Sequence, residues 1–224
     1  MLRAMLRKLW GLFALITCGF CGHLAAAEPQ ATPGEWKSLS TSDNVTIYRR
    51  FYPGPASHES KAIGDIAAPI AVVQAVIEDL ESFSKFMPYT AECRVLKREG
   101  DSAVTYQRIS APLVSDRDYT LRVRTTAKTT EKGTSYLTRW ETANELGPPE
   151  KRGVLRVQLC RGSWLLEPAG PELTRATYTI LTDSGGVLPG FIKNAGSQIG
   201  LRKMFAAIRK QVCDPRYAAA QPKS

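Results

Sequence analysis

The segment Tyr119–Thr126 reads YTLRVRTT and alternates between two kinds of side chain. Its odd-numbered positions are Tyr, Leu, Val and Thr, and its even-numbered positions are Thr or Arg. A period of two is typical of a β-strand that has one buried face and one solvated face. The segment therefore predicts a half-buried strand at the centre of a sheet.

Further β-rich segments lie on both sides of this strand. Several alternate in the same way, and Gly100-Asp101 separates two of them as in a hairpin. The predicted strands are 45–48, 61–67, 93–96, 104–106, 136–141, 155–159 and 175–180. Their number and spacing favour a mostly antiparallel sheet.

Two segments instead carry apolar residues at helical spacing. The first follows Pro69, a residue that the first turn of a helix tolerates well, and continues to Phe83. The second runs from Leu188 to about Val212 and has a basic exterior. A sheet followed by one long amphipathic helix indicates an α+β fold in which the helix covers the apolar face of the sheet.

The composition is that of an ordinary globular protein. The 224 residues include 43% hydrophobic residues, and 30 Lys and Arg against 21 Asp and Glu give a formal charge of +9. The length suits one domain. The bases form no dense cluster with interleaved aromatic residues, so we do not expect nucleic-acid binding. Only His23 and His58 are present, which excludes most histidine-based catalysis and metal binding, and we expect no cofactor.

The first 27 residues have the pattern of a secretory signal peptide. Three bases without an acid precede an apolar run, and Ala25-Ala26-Ala27 fits the cleavage site. The sequence therefore predicts an exported, periplasmic or secreted protein. A membrane anchor is the first alternative, and a lipoprotein attached through Cys18 is the second, because Leu15–Cys18 loosely resembles a lipobox.

The remaining chain divides into three predicted parts. Residues 28–34 form a flexible leader, 35–213 a single domain and 214–224 a flexible tail. This domain holds Cys93, Cys160 and Cys213, so at most one disulfide can form. The hydrophobic core must therefore supply most of the stability.

Several positions on the predicted inner face of the sheet are polar but uncharged. They are Tyr106, Thr125, Tyr136, Thr138 and Tyr178. A cavity for an amphiphilic ligand would use such residues to orient it. Threonine and tyrosine also have high β-propensity, so the pattern alone leaves a solid core equally open.

Four segments resemble the START (steroidogenic-acute-regulatory-related lipid transfer) domain family. Ala111–Tyr119 resembles its P-x-x-x-x-R-D-[FY] motif, and Pro148–Arg156 resembles the Ω-loop that leads into the next strand. Gly162–Pro168 and Asp183–Pro189 resemble the late strand and the turn into the C-terminal helix. The resemblance implies a helix-grip fold, in which a curved antiparallel sheet wraps around the long C-terminal helix with a lipid between them.

This resemblance, combined with the strand alternation, predicts a ligand cavity and a gate. The predicted lining is Tyr106, Arg108, Tyr119, Leu121, Val123, Tyr136, Thr138, Trp140, Leu155, Val157, Tyr178, Ile180, Leu188, Ile192, Ala195 and Ile199. The predicted gate loop contains Leu146, Gly147, Pro148 and Pro149. Arg108 has two interpretations, a contact to a lipid headgroup or an arginine that reaches solvent at a strand end.

The resulting prediction is a monomeric, non-enzymatic protein that binds or transfers one lipid, such as a phospholipid, a fatty acid or a sterol-like molecule, and contacts membrane surfaces transiently. One alternative is a cyclase-like or hydrolase-like enzyme in the same cavity, with Tyr106 or Tyr136 as an acid. A protein-interaction module is another. Asp183–Gly186 also resembles the nucleophile segment of serine proteases, but His58 lacks the surrounding sequence that such enzymes use.

Overall fold

Ten β-strands within the described residues form one sheet. A computed structural model describes residues 32–112, 114–183 and 190–220, without the side chains of 190–197. The strands are β1 (Lys37–Ser42), β2 (Val45–Phe51), β3 (His58–Ile66), β4 (Thr90–Glu99), β5 (Ser102–Ile109), β6 (Arg117–Thr130), β7 (Gly133–Thr142), β8 (Leu155–Arg156), β9 (Leu159–Gly170) and β10 (Leu173–Asp183). The order across the sheet is β1-β2-β3-β10-β9-β7-β6-β5-β4, and these neighbours are antiparallel.

The helices are α1 (Ile70–Glu78), α2 (Phe83–Phe86) and α3 (Gly190–Gln211). Short 3-10 helices occupy Leu80–Ser82, Asn144–Leu146 and Pro215–Ala220. Helix α3 packs on the curved sheet through its buried residues Leu201, Phe205 and Ile208. The predicted α+β helix-grip architecture is therefore confirmed.

The predicted helix from Pro69 to Phe83 ends early. Asp79 leaves the helical conformation, with φ −78° and ψ 60°, and its carboxylate accepts a hydrogen bond of 2.7 Å from the Tyr217 hydroxyl. A tertiary contact with the C-terminal segment thus accompanies the break, and apolar spacing in the sequence could not reveal it.

The predicted strand 155–159 is also interrupted. Only Leu155–Arg156 is extended as β8, and it runs parallel to Arg117 and Asp118 at the start of β6. Strand β7 ends at Thr142, which pairs with Leu121, so the first residues of β6 have no β7 partner and β8 takes that place.

The C-terminal segment differs from the predicted flexible tail. Pro215–Ala220 forms a 3-10 helix, and Tyr217 is buried. Arg216 donates a hydrogen bond of 3.1 Å to the Ser82 hydroxyl and lies 3.5 Å from the Asp79 carboxylate. These contacts fasten the segment to the end of α1. Within the described part of the chain, no helix is long and apolar enough to cross a bilayer.

A buried ion pair lies on the face of β6 that points away from α3. Arg156 donates to both carboxylate oxygens of Asp118, at 2.7 and 3.2 Å, and the two side chains are 6% and 1% exposed. Asp118 also accepts a hydrogen bond of 3.0 Å from the Tyr106 hydroxyl. Burial acts to raise the pKa of Asp118, but these hydrogen bonds and the charge of Arg156 outweigh it and hold the pKa below its usual value.

We expect Asp118→Ala to destabilise the fold, because it leaves the Arg156 guanidinium buried without its counter-charge. Urea denaturation at neutral pH should show a loss of about 3 kcal/mol in the free energy of unfolding. Because the folded pKa of Asp118 lies below its unfolded value, this stabilisation is present at neutral pH and is lost as the pH falls through the folded pKa.

The matched control is Glu99→Ala, which breaks an exposed ion pair with Lys97 on β4. This variant should leave the urea midpoint nearly unchanged, since exposed pairs contribute little. Equal midpoints for the two variants would contradict a stabilising role of the buried pair.

Candidate functional site

A cavity of about 330 Å³ lies between the inner face of the sheet and helices α1 and α3. Strands β6, β7 and β10 supply much of its wall, and the alternation of each strand aims every second side chain inward. Seven of the predicted residues meet here: Tyr119, Leu121, Val123, Thr138, Trp140, Tyr178 and Ile180. The structure therefore brings together the central part of the predicted lining. Ligand binding by these residues stays a prediction.

Aromatic rings form one wall of this cavity. The ring centroids of Trp140 and Tyr178 are 5.4 Å apart, and those of Trp164 and Tyr178 are 4.8 Å apart. Gly162 on β9 allows the Trp140 ring to lie against the strand, because a Cβ at Gly162 would stand 2.6 Å from the ring and 2.2 Å from the Thr179 carbonyl oxygen. The aromatic wall therefore requires glycine at position 162.

The polar groups of the cavity are uncharged. The Tyr119 hydroxyl donates to the Gln107 amide oxygen at 3.3 Å. None of the described lining residues is Asp, Glu, Lys, Arg or His. Burial raises the pKa of Tyr119 and Tyr178, and it raises the pKa of the Cys160 thiol to about 12. These groups are therefore neutral at physiological pH.

The sequence analysis assigned the helical side of the cavity to Leu188, Ile192, Ala195 and Ile199, and it missed the described residues that line this side. Ile77 and Leu80 contribute from α1 and the turn that follows it, and Gly200, Leu201 and Met204 contribute from α3. The segment after α2 adds Met87, Pro88, Tyr89 and Thr90. The apolar spacing of α1 predicts which of its residues are buried. It does not predict which of those buried residues face a cavity. The segment 87–90 has no periodicity from which its position could be predicted.

Tyr106 and Arg108 do not face the cavity, so these two predictions are wrong. Both lie on the outer face of β5, whereas Gln107 and Ile109 line the cavity. Arg108 bonds to Asp116 at 2.6 Å and lies 3.5 Å from Glu92. Its partners are carboxylates of the protein itself, and this position favours the solvent-side interpretation over a headgroup contact.

Four other described residues of the predicted lining do not form the wall of this cavity. Leu155 is 38% exposed and Ile199 is 49% exposed, so both predictions are wrong. Val157 is buried beside Leu121 and Val123 but behind the wall, and Tyr136 lies further along β7. Leu188 and the side chains of Ile192 and Ala195 lie outside the described residues.

The predicted gate loop is fastened to the outer side of β6, and none of its four named residues lines the cavity. A Cβ at Gly147 would stand 1.8 Å from the Thr120 hydroxyl, and the Pro148 carbonyl accepts a hydrogen bond of 3.1 Å from Arg156. Leu146 and Pro149 are exposed. A gate role for this loop stays a prediction.

The Asn144 side chain, at the start of this loop, forms hydrogen bonds to two other segments. Its side-chain oxygen accepts from the Thr120 amide at 2.9 Å, and its amide nitrogen donates to the Val157 carbonyl at 2.8 Å. Asn144 thus joins the start of the loop to β6 and to Val157 beyond its end, whereas residues 149–153 between them are exposed.

Two other kinds of site find no support in the described residues. Nowhere in that part of the chain do three His, Cys, Asp or Glu side chains meet as they would around a metal ion. Ser184 of the protease-like segment lies outside the described residues, and His58 is exposed at the start of β3.

Comparison with known proteins agrees with this architecture. The family model for polyketide cyclase / dehydrase and lipid transport matches residues 66–209. An uncharacterized protein of Pseudomonas aeruginosa is 34% identical over 162 residues, covering 72% of this chain and 78% of that protein. The phosphatidylcholine transfer protein of Mus musculus is 24% identical over 177 residues, covering 78% of this chain and 82% of that protein.

A solved structure shares the fold. The STAR-related lipid transfer protein of Xanthomonas axonopodis aligns with a TM-score of 0.69 at 22% identity, covering 79% of this chain and 98% of that one. Together with the family model and the sheet that encloses a C-terminal helix, this match identifies the domain. The chain belongs to the polyketide cyclase / dehydrase and lipid transport family and contains a START-like domain.

Proposed function

We propose that the protein binds one apolar lipid at a time in the cavity between the sheet and α3 and carries it through water. The observation that supports this most is the cavity itself, whose described lining is apolar or neutral. Its volume of about 330 Å³ lies within the range of small-molecule sites. Burial of apolar ligand surface contributes about 25 cal/mol per Å², so an acyl chain or ring system binds without covalent chemistry.

We propose binding rather than catalysis. An acid or nucleophile in this cavity would need a pKa near the working pH. Burial instead raises the pKa of Tyr119, Tyr178 and Cys160, all of which line the cavity. Tyr106, once a candidate acid, lies on the outer face, and its burial and the nearby Asp118 raise its pKa to about 12.

Export and transient membrane contact are part of the same proposal. The N-terminal pattern supports export to the periplasm or beyond. On α3, Arg209 donates to backbone carbonyls of Asp43, Asn44 and Asp65 and is occupied within the protein. Lys203 contacts Tyr89, which lines the cavity, and supplies positive charge there for an anionic bilayer. We propose that the protein acts as a monomer.

Native mass spectrometry with lipid extraction tests the proposed function. The purified protein should carry one amphiphile per chain, and this amphiphile should be recovered unchanged after incubation with the protein. Conversion of the bound lipid to a product would favour an enzyme, and recovery of a bound peptide would favour an interaction module. Either result would contradict non-enzymatic lipid carriage.

Gly200 offers a matched pair of variants for the position of the site. A Cβ at Gly200 meets no atom within 4 Å, and this residue lines the cavity from α3. Gly200→Trp should fill the cavity and reduce lipid binding at least about tenfold while the domain stays folded. This loss corresponds to about 1.4 kcal/mol.

The control is Gly200→Ala, which should retain lipid binding and raise the free energy of unfolding by about 1 kcal/mol, because glycine is unfavourable inside a helix. Lipid titration and urea denaturation of both variants provide the measurements. Undiminished binding by a folded Gly200→Trp protein would place the ligand elsewhere.

Intact-mass measurement of the protein recovered from the periplasm or medium tests export. The expected mature chain begins at Glu28, since cleavage should follow Ala27. A full-length mass in the membrane fraction would favour an anchor, and a chain that begins with a lipid-modified Cys18 would favour a lipoprotein.

A further inference from the structure

A second cavity, here called the α1 cavity, lies between α1 and the ends of β5, β6 and β7 near the β4–β5 turn. Its volume is about 560 Å³. It shares four wall residues with the first cavity: Ile77, Leu80, Val123 and Thr138. The two spaces therefore adjoin at these four residues, whose side chains can rotate between staggered conformations.

Gln74 on α1 lines this second space and is only 5% exposed. Neither its amide oxygen nor its amide nitrogen has a hydrogen-bond partner within the described residues. Burying such a group without partners costs roughly 1–3 kcal/mol. A buried amide with free donors and a free acceptor is the kind of group that a ligand can satisfy.

No hydrogen bond within the described residues joins Gln74 to the polar lining of the α1 cavity. The Thr125 and Thr138 hydroxyls bond to each other at 3.0 Å. The charged residues that line the α1 cavity are Glu78, Arg98 and Asp101. All three are exposed, and they include two acids and one base. This environment favours an uncharged polar group over an ion, since burial of an ion would need a matching counter-charge.

We propose that Gln74 recognises the polar end of the bound lipid, and that this end is an uncharged hydroxyl or carboxamide. This inference rests on the proposed function. The apolar part of the lipid occupies the first cavity, and its polar end passes Ile77 and Leu80 into the α1 cavity. A hydroxyl or carboxamide both donates and accepts, which matches the unpartnered amide of Gln74.

Binding of two probes with similar chains tests the inference: palmitamide, which has a carboxamide, and hexadecane, which has no polar group. Each probe is equilibrated with the protein, and the amount bound per chain is measured by mass spectrometry. Gln74→Met, which keeps the volume and removes both polar functions, should weaken palmitamide binding roughly tenfold and leave hexadecane binding unchanged. Gln74→Leu should behave in the same way and serves as the second variant.

The control is Gln158→Met, the same substitution at an exposed residue between β8 and β9. It should leave the affinity for both probes unchanged. The melting temperature of Gln74→Met should be equal to that of the wild type or higher, because the variant removes unpaired buried polar atoms.

The possible failures are distinguishable. Suppose that the wild type binds both probes. If the Gln74 variants then bind palmitamide as tightly as the wild type does, the inference is overturned and the proposed function stands. Equal weakening of both probes would also overturn the inference, since Gln74 would then act through packing alone. If neither probe binds to the wild type, the proposed function fails and the inference fails with it.

Discussion

The contact between α3 and the inner face of the sheet is the constraint on which the rest of the structure depends. Phe205 packs against Trp164 with ring centroids 5.5 Å apart, and it approaches Gly64 so closely that a Cβ there would stand 3.0 Å from its ring. This contact fixes the distance between helix and sheet. Of the α3 residues that line the cavity, Met204 directly precedes Phe205, and Gly200 and Leu201 lie about one turn earlier. The helix thus packs directly on the sheet at Phe205 and faces empty space at Gly200, where no side chain fills the gap.

The two faces of the sheet differ in charge: ion pairs lie on the outer face, and neutral residues line the cavity on the inner face. The Asp118–Arg156 and Asp116–Arg108 pairs lie on the outer face, whereas the described residues around the first cavity are neutral. A strand achieves this separation with no added element, because successive side chains point to opposite faces. Within the R-D-Y segment at 117–119, the side chains of Asp118 and Tyr119 point to opposite faces of the sheet. Asp118 fastens the loop after β7 through Arg156, and Tyr119 faces the cavity. Stability and ligand binding therefore depend on adjacent residues with different side-chain directions.

The sequence predicted the strands with clear alternation and the long final helix, so the architecture and the central lining at β6, β7 and β10 followed from it. It failed where polarity did not distinguish the two faces. Strand β5 carries Thr105, Tyr106 and Gln107 in succession, and all three are buried, so Tyr106 was assigned to the wrong face. Gln74 was missed because it lies among the apolar residues of α1, where helical spacing predicts only burial. The contact of Tyr217 with Asp79 joins residues far apart in the chain and has no local signal.

The three described cysteines are all free. Burial raises the pKa of the thiols of Cys93 and Cys160 to about 12, which suppresses the reactive thiolate, and only Cys213 is exposed. The domain therefore reaches its folded state without an oxidant or a disulfide-exchange catalyst. The same fold is compatible with a reducing cell interior and with an oxidising compartment outside it. Of these three thiols, that of Cys213 is the one that an oxidant in the surroundings can reach.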